Sequence, residues 1–145
     1  MCHRSQNGFT LIELVMVGAV AAVLVAASVG QYQEFVSNQR LHTWAETIAT
    51  DLRAGQQVSI SQRRPVVAVF ESDNYSVTTH DPITAGTAVI KVGNLPPDII
   101  STLQTISFSS LGTTTTAGTI MLRSQMTNRT RQISVAAATG RVRID

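Results

Sequence analysis

Two short runs hold the residues whose types and spacing could do chemistry. In Gly8-Phe9-Thr10-Leu11-Ile12-Glu13, a lone carboxylate heads a stretch, Leu14 to Val29, in which every residue is apolar or small. A carboxylate at the centre of a membrane span costs about 2.5–3.5 kcal/mol on insertion scales, and less near the interface. An otherwise clean apolar run that keeps Glu13 should therefore have a reason to keep it. The second run is Gly140-Arg141-Val142-Arg143. On a strand, Arg141 and Arg143 share one face, with Val142 and Ile144 on the other. Two guanidiniums about 7 Å apart can span successive phosphates of a nucleic acid, and Arg129 and Arg131 could add to the patch. A bland reading stands beside it: Thr139-Gly140 makes a hairpin turn, and the arginines are a solvated face.

Other chemistry finds little support. His3, His42 and His80 have no partners at metal-ligand spacing, and Cys2 is the single cysteine. There is no Gly-rich phosphate loop and no Gly-x-Ser-x-Gly elbow. The acidic residues are scattered without a pair that could serve as acid and base. The expectation is a protein without metal or cofactor that is not an enzyme.

The elements that must position these residues follow from length and patterning. The 145 residues suffice for one compact domain. The net charge of +2 is too small to imply a nucleic-acid partner by itself, but the C-terminal fifth is distinctly basic. Residues 9–30 read as one apolar helix roughly 33 Å long, enough to cross a bilayer core. A secretory signal cut near Ala26-Ala27-Ser28 is one alternative, and a plain anchor is another, but the anchor leaves Glu13 unexplained. Over residues 31–64 the helix continues as an amphipathic one, with Leu41, Ala45, Ile48, Leu52, Gly55 and Ser59 forming a stripe. Arg63-Arg64-Pro65 ends it, with the arginines in the last turn. Residues 65–145 then read as short strands separated by Asp81-Pro82, Gly93-Asn94, Pro96-Pro97, Gly112 and Gly118, with Leu111 to Gly118 as an exposed loop. The fold class is α+β: a long N-terminal helix laid on one antiparallel sheet of a small β domain.

The segment Gly8 to Glu13 resembles the leader junction of type IV pilins and pseudopilins. That resemblance implies that residues 1–8 are a leader, that a prepilin peptidase cuts between Gly8 and Phe9, and that Phe9 is N-methylated. It also implies that Glu13 meets the free amine of a neighbouring subunit's Phe9 during filament assembly. Gly30 stands where the family commonly has a proline. Leu52-Arg53-Ala54, Arg63-Arg64-Pro65-Val66 and Thr139-Gly140-Arg141-Val142-Arg143-Ile144 resemble the FimT/GspH group of minor pilins. The group implies a structural subunit of a type II secretion pseudopilus or a type IV pilus, with other pilins as partners. The implied location is the inner membrane, with one pass, Arg4 on the cytoplasmic side and residues 65–145 in the periplasm. Some FimT-like members bind DNA, so the resemblance also implies an alternative in which Arg141 and Arg143, with Arg129 and Arg131, contact DNA during uptake.

Overall fold

The computed structural model describes residues 9–81, 86–116 and 118–145, apart from the side chain at position 28. Residues 1–8, which include the expected leader and Gly8, lie outside the described residues, as does Pro82. One helix, α1 (Leu11–Gln62), is followed by eight strands: β1 (Val66–Phe70), β2 (Asn74–Asp81), β3 (Gly86–Asn94), β4 (Ile99–Ser101), β5 (Gln104–Phe108), β6 (Gly118–Ser124), β7 (Thr130–Val135) and β8 (Val142–Ile144). The chain divides into two compact units, one ending at Phe35 and the other comprising Val36–Asp145.

In the first unit, α1 starts from Thr10. The Glu13 amide donates to the Thr10 hydroxyl at 3.4 Å and to the Thr10 carbonyl at 3.1 Å. Thr10 thus caps the helix, and Glu13 occupies its first turn, where a negative charge is favoured by the helix dipole. The Thr-x-x-Glu spacing is that of a capping box, a second reason for this residue pair. The helix passes through Gly30 without interruption.

The second unit is built on the amphipathic stripe. Leu41, Ala45, Ile48, Leu52, Gly55 and Ser59 are all buried, and Ala49 joins them. Gly55 sits so close to the sheet that a Cβ there would lie 2.9 Å from Val77 and 3.4 Å from Val66. The helix stops at Gln62, two residues short of the expected boundary, and its last turn holds no basic residue. Arg63 takes a left-handed conformation (φ 52°), and the Arg64 amide donates to the Ser59 carbonyl at 3.2 Å. That is a Schellman-type stop, here with arginine at the position glycine usually fills.

The strands form two four-stranded antiparallel sheets rather than one, in the orders β3-β2-β1-β5 and β4-β6-β7-β8. Alternation explains both: β1 and β6 bury every second residue, so each sheet has one apolar face. Phe70, Tyr75, Val77, Ile106 and Phe108 of the first sheet share a core with Ile99, Ile120, Leu122, Ile133 and Val142 of the second and with the helix stripe. The helix meets both sheets. Asp51 accepts from the Tyr75 hydroxyl at 2.6 Å, and Ser37 bonds Ser124 at 2.8 Å in a buried pair.

Loops close two sheet edges. The Ser101 amide donates to Ser72, which covers β4. Residues 113–115 bond back to Ser107 and Ser109, and Thr114 forms a bridge to Phe108. The Thr-rich loop is therefore not simply exposed. Leu111 is exposed, but Thr114 is buried and donates to the carbonyls of Ala136 and Ala137 at 3.0 Å. Uncovered edges attract other strands. The loop's backbone covers the β5 edge, and hydroxyl pairs Ser107–Thr115 at 2.8 Å and Ser109–Thr113 at 2.7 Å reinforce it.

Candidate functional site

Phe9 and Glu13 lie at the exposed N-terminal end of α1. Phe9 is 81% exposed, Glu13 is exposed in the first turn, and the large apolar side chains from Leu14 to Val29 are all exposed. A soluble protein rarely leaves so long a run of Val, Leu and Met in water. Among the described residues, α1 is the helix long and apolar enough to cross a membrane. Among the described residues, nothing lies within 4 Å of where a Cβ on Gly18 or Gly30 would be, so neither glycine is required there by close packing.

The C-terminal candidates sit on the second sheet. Ser134 pairs with Arg143 and Val135 with Val142, while the Ala136 amide donates to the Arg141 carbonyl. Ile133 and Val135 face the core, so Arg143 lies on the outer face with Ser134. Arg141 and Arg143 are both exposed and flank a shallow cleft of about 280 Å³ that also touches Thr119, Ser134 and Ala136. Arg131 is placed differently. It pairs with Leu122, a core residue, and so has the opposite parity to Arg143, at the sheet margin. Arg129 follows the 125–128 turn and is exposed. Arg123 pairs with Thr130 on the outer face, where its guanidinium Nε bonds Asn128 Oδ1 at 2.7 Å. The outer face therefore carries Arg141 and Arg143 at one end and Arg123, four residues along β6 from the Thr119–Ser134–Arg143 row, toward the other, and leaves Arg131 on the opposite side. Asp145 tempers this face: its carboxylate accepts from the Ser134 hydroxyl at 3.4 Å.

Two ties from α1 hold β8 in place. Gln56 Nε2 donates to the Gly112 carbonyl at 2.8 Å and to the Thr139 carbonyl at 3.1 Å, and Arg53 Nη2 donates to the Val142 carbonyl at 3.3 Å. Gly140 is buried at φ 62°, and a Cβ there would lie 2.3 Å from the Gly112 carbonyl and 2.5 Å from Gln56. The glycine of Gly-Arg-x-Arg is thus fixed by packing and backbone, while its arginines stay free of those demands. Sequence periodicity gave no hint of Gln56, because a polar residue beside the stripe reads as solvated.

Residues 45–139 match the family described as Type II transport protein GspH. The chain belongs to the GspH family. Residues 3–29 match the prokaryotic N-terminal methylation motif, the segment that holds Gly8, Phe9 and Glu13. This GspH member carries a long helix whose second half packs on a small antiparallel domain. It superposes on the type IV minor pilin FimU of Pseudomonas aeruginosa with a TM-score of 0.62 at 17% identity, over 77% of this chain and 92% of that one. It is also 32% identical over 74 residues to the fimbrial protein EcpC of Eikenella corrodens, covering 51% of this chain and 45% of that protein. The match thus spans a little under half the length of that relative. Among the described residues no cluster of His, Cys, Asp and Glu could hold a metal.

Proposed function

We propose that the chain is a minor pilin or pseudopilin, a structural subunit rather than a catalyst, in a type II secretion pseudopilus or a type IV pilus. One observation carries this reading: an exposed apolar helix with Glu13 in its first turn, in a GspH-family chain bearing the methylation motif. In this reading the prepilin peptidase cuts between Gly8 and Phe9 and methylates the Phe9 amine. The precursor rests in the inner membrane, with Arg4 on the cytoplasmic side and Val36–Asp145 in the periplasm. When the helix joins a filament of other pilins, Glu13 enters an apolar core, where the amine of a neighbour's Phe9 neutralises it and sets the stagger between subunits. The experiment follows a tagged Glu13→Ala variant from membrane to sheared filament in cells. The variant should be processed and membrane-bound but missing from the filament fraction. Incorporation at the unaltered level would remove Glu13 from assembly.

A second reading is favoured by the outer-face position of Arg141 and Arg143. Two exposed guanidiniums at the rim of a shallow cleft suit a phosphate backbone, as a DNA-contacting subunit in uptake would need. Duplex DNA titrated onto the detergent-solubilised chain tests it. Binding that does not weaken with salt, or that is indifferent to Arg141→Ala with Arg143→Ala, would exclude this face.

A further inference from the structure

We infer that Tyr32 and Phe35 form an anchor for the lipid headgroup–acyl boundary on the periplasmic side, holding the subunit at a fixed depth before assembly. The inference rests on the single-span reading above and adds a site to it. Between Glu13 and Glu34 the chain carries no charge over twenty residues, Leu14 through Gln33. At about 1.5 Å per residue this is about 30 Å, the thickness of a bilayer's hydrocarbon core. The carboxylates at either end therefore mark two interfaces, and Tyr32 and Phe35 bracket the outer one.

The geometry supports the chemistry. Tyr32 is 69% exposed and Phe35 67%. Three residues apart, they lie on one helix face, which continues the open apolar groove of Leu24, Val25 and Val29. Glu34 projects from the opposite side of the same turn. A tyrosine with an apolar ring and a polar tip prefers the interface to either water or hydrocarbon. The folded unit begins at Val36, directly after this pair. Both rings are largely exposed among the described residues, and lipid is the partner whose chemistry and depth they fit. Packing against another subunit's helix is the competing occupant.

Depth-resolved fluorescence quenching tests this. The full chain, with Trp44→Phe to remove its single tryptophan, is reconstituted as monomers in phosphatidylcholine–phosphatidylglycerol vesicles. The variants Tyr32→Trp, Phe35→Trp and Val20→Trp are each quenched by lipids brominated near the carbonyls or near the chain ends. Tyr32→Trp and Phe35→Trp should be quenched at least twofold more by the shallow label, and Val20→Trp at least twofold more by the deep one. If Val20→Trp is deep but the other two are deep as well, or are reached by neither label, the anchor is overturned and the span stands. If Val20→Trp shows no preference for the deep label, the span itself fails and the anchor with it.

Discussion

The side-chain amide of Gln56 reaches out of α1 to the carbonyl of Gly112 at 2.8 Å, and the same nitrogen reaches Thr139 at 3.1 Å. One helix residue thereby joins two loops that are far apart in sequence, and Gly140 packs against Gln56 and the Gly112 carbonyl. Gly140→Ala should destabilise the Val36–Asp145 unit by about 1–3 kcal/mol from backbone strain, with steric overlap adding to this. Gln56→Ala, which leaves partly buried carbonyls without a donor, should cost about 1–3 kcal/mol. Chemical denaturation checks both. Unchanged midpoints would contradict the clasp.

The first sheet is tied to the same helix through Tyr75 and Asp51, with Lys91 Nζ 3.9 Å from the carboxylate. Burial, and then the hydrogen bond and charge of Asp51, push the Tyr75 hydroxyl well above its ordinary value of about 10. The folded state therefore holds this proton more tightly than the unfolded one. Its contribution is fully present below about pH 10 and is lost as pH rises through the folded value. Tyr75→Phe should cost about 1.5–3 kcal/mol at neutral pH. It should also flatten the loss of stability above about pH 10, which denaturation titrations at alkaline pH would reveal.

If the outer face of the second sheet binds DNA, its arginines and Asp145 act in opposite directions. Arg141→Ala and Arg143→Ala should each weaken binding and lower the slope of log affinity against log salt by about 1. Asp145→Asn should tighten it. Arg131→Ala, across the sheet from that face, should do much less than either. Equal losses at Arg131 and Arg143 would point to a diffuse electrostatic film rather than a face.

Patterning made much of this legible. The apolar run, the amphipathic stripe and most strands follow directly from periods of 3.6 and 2, and alternation around Val142 correctly exposed Arg141 and Arg143. Division into two sheets was not legible, because strand pairing is a matter of long-range register that local alternation leaves open. β4 carries no readable signal, because three residues after Pro96-Pro97 are too few to show a period. Arg131 looked like part of the patch by proximity to Arg129, until pairing with Leu122 fixed its parity. The capping pair Thr10 and Glu13 was readable from its spacing but was overshadowed by the cost of a charge in an apolar run.

That capping pair sharpens what must be asked of Glu13. A first-turn carboxylate favoured by the helix dipole would explain Glu13 in a plain anchor, whereas a pilin-type subunit requires the chain to be cut just before Phe9. Intact-mass analysis of protein extracted from the membranes of cells with an active prepilin peptidase addresses this directly. The account predicts a chain that has lost Met1 to Gly8, begins at Phe9 and is heavier by one methyl group on its amine. A chain beginning anywhere else, or one left uncut in those cells, would contradict it.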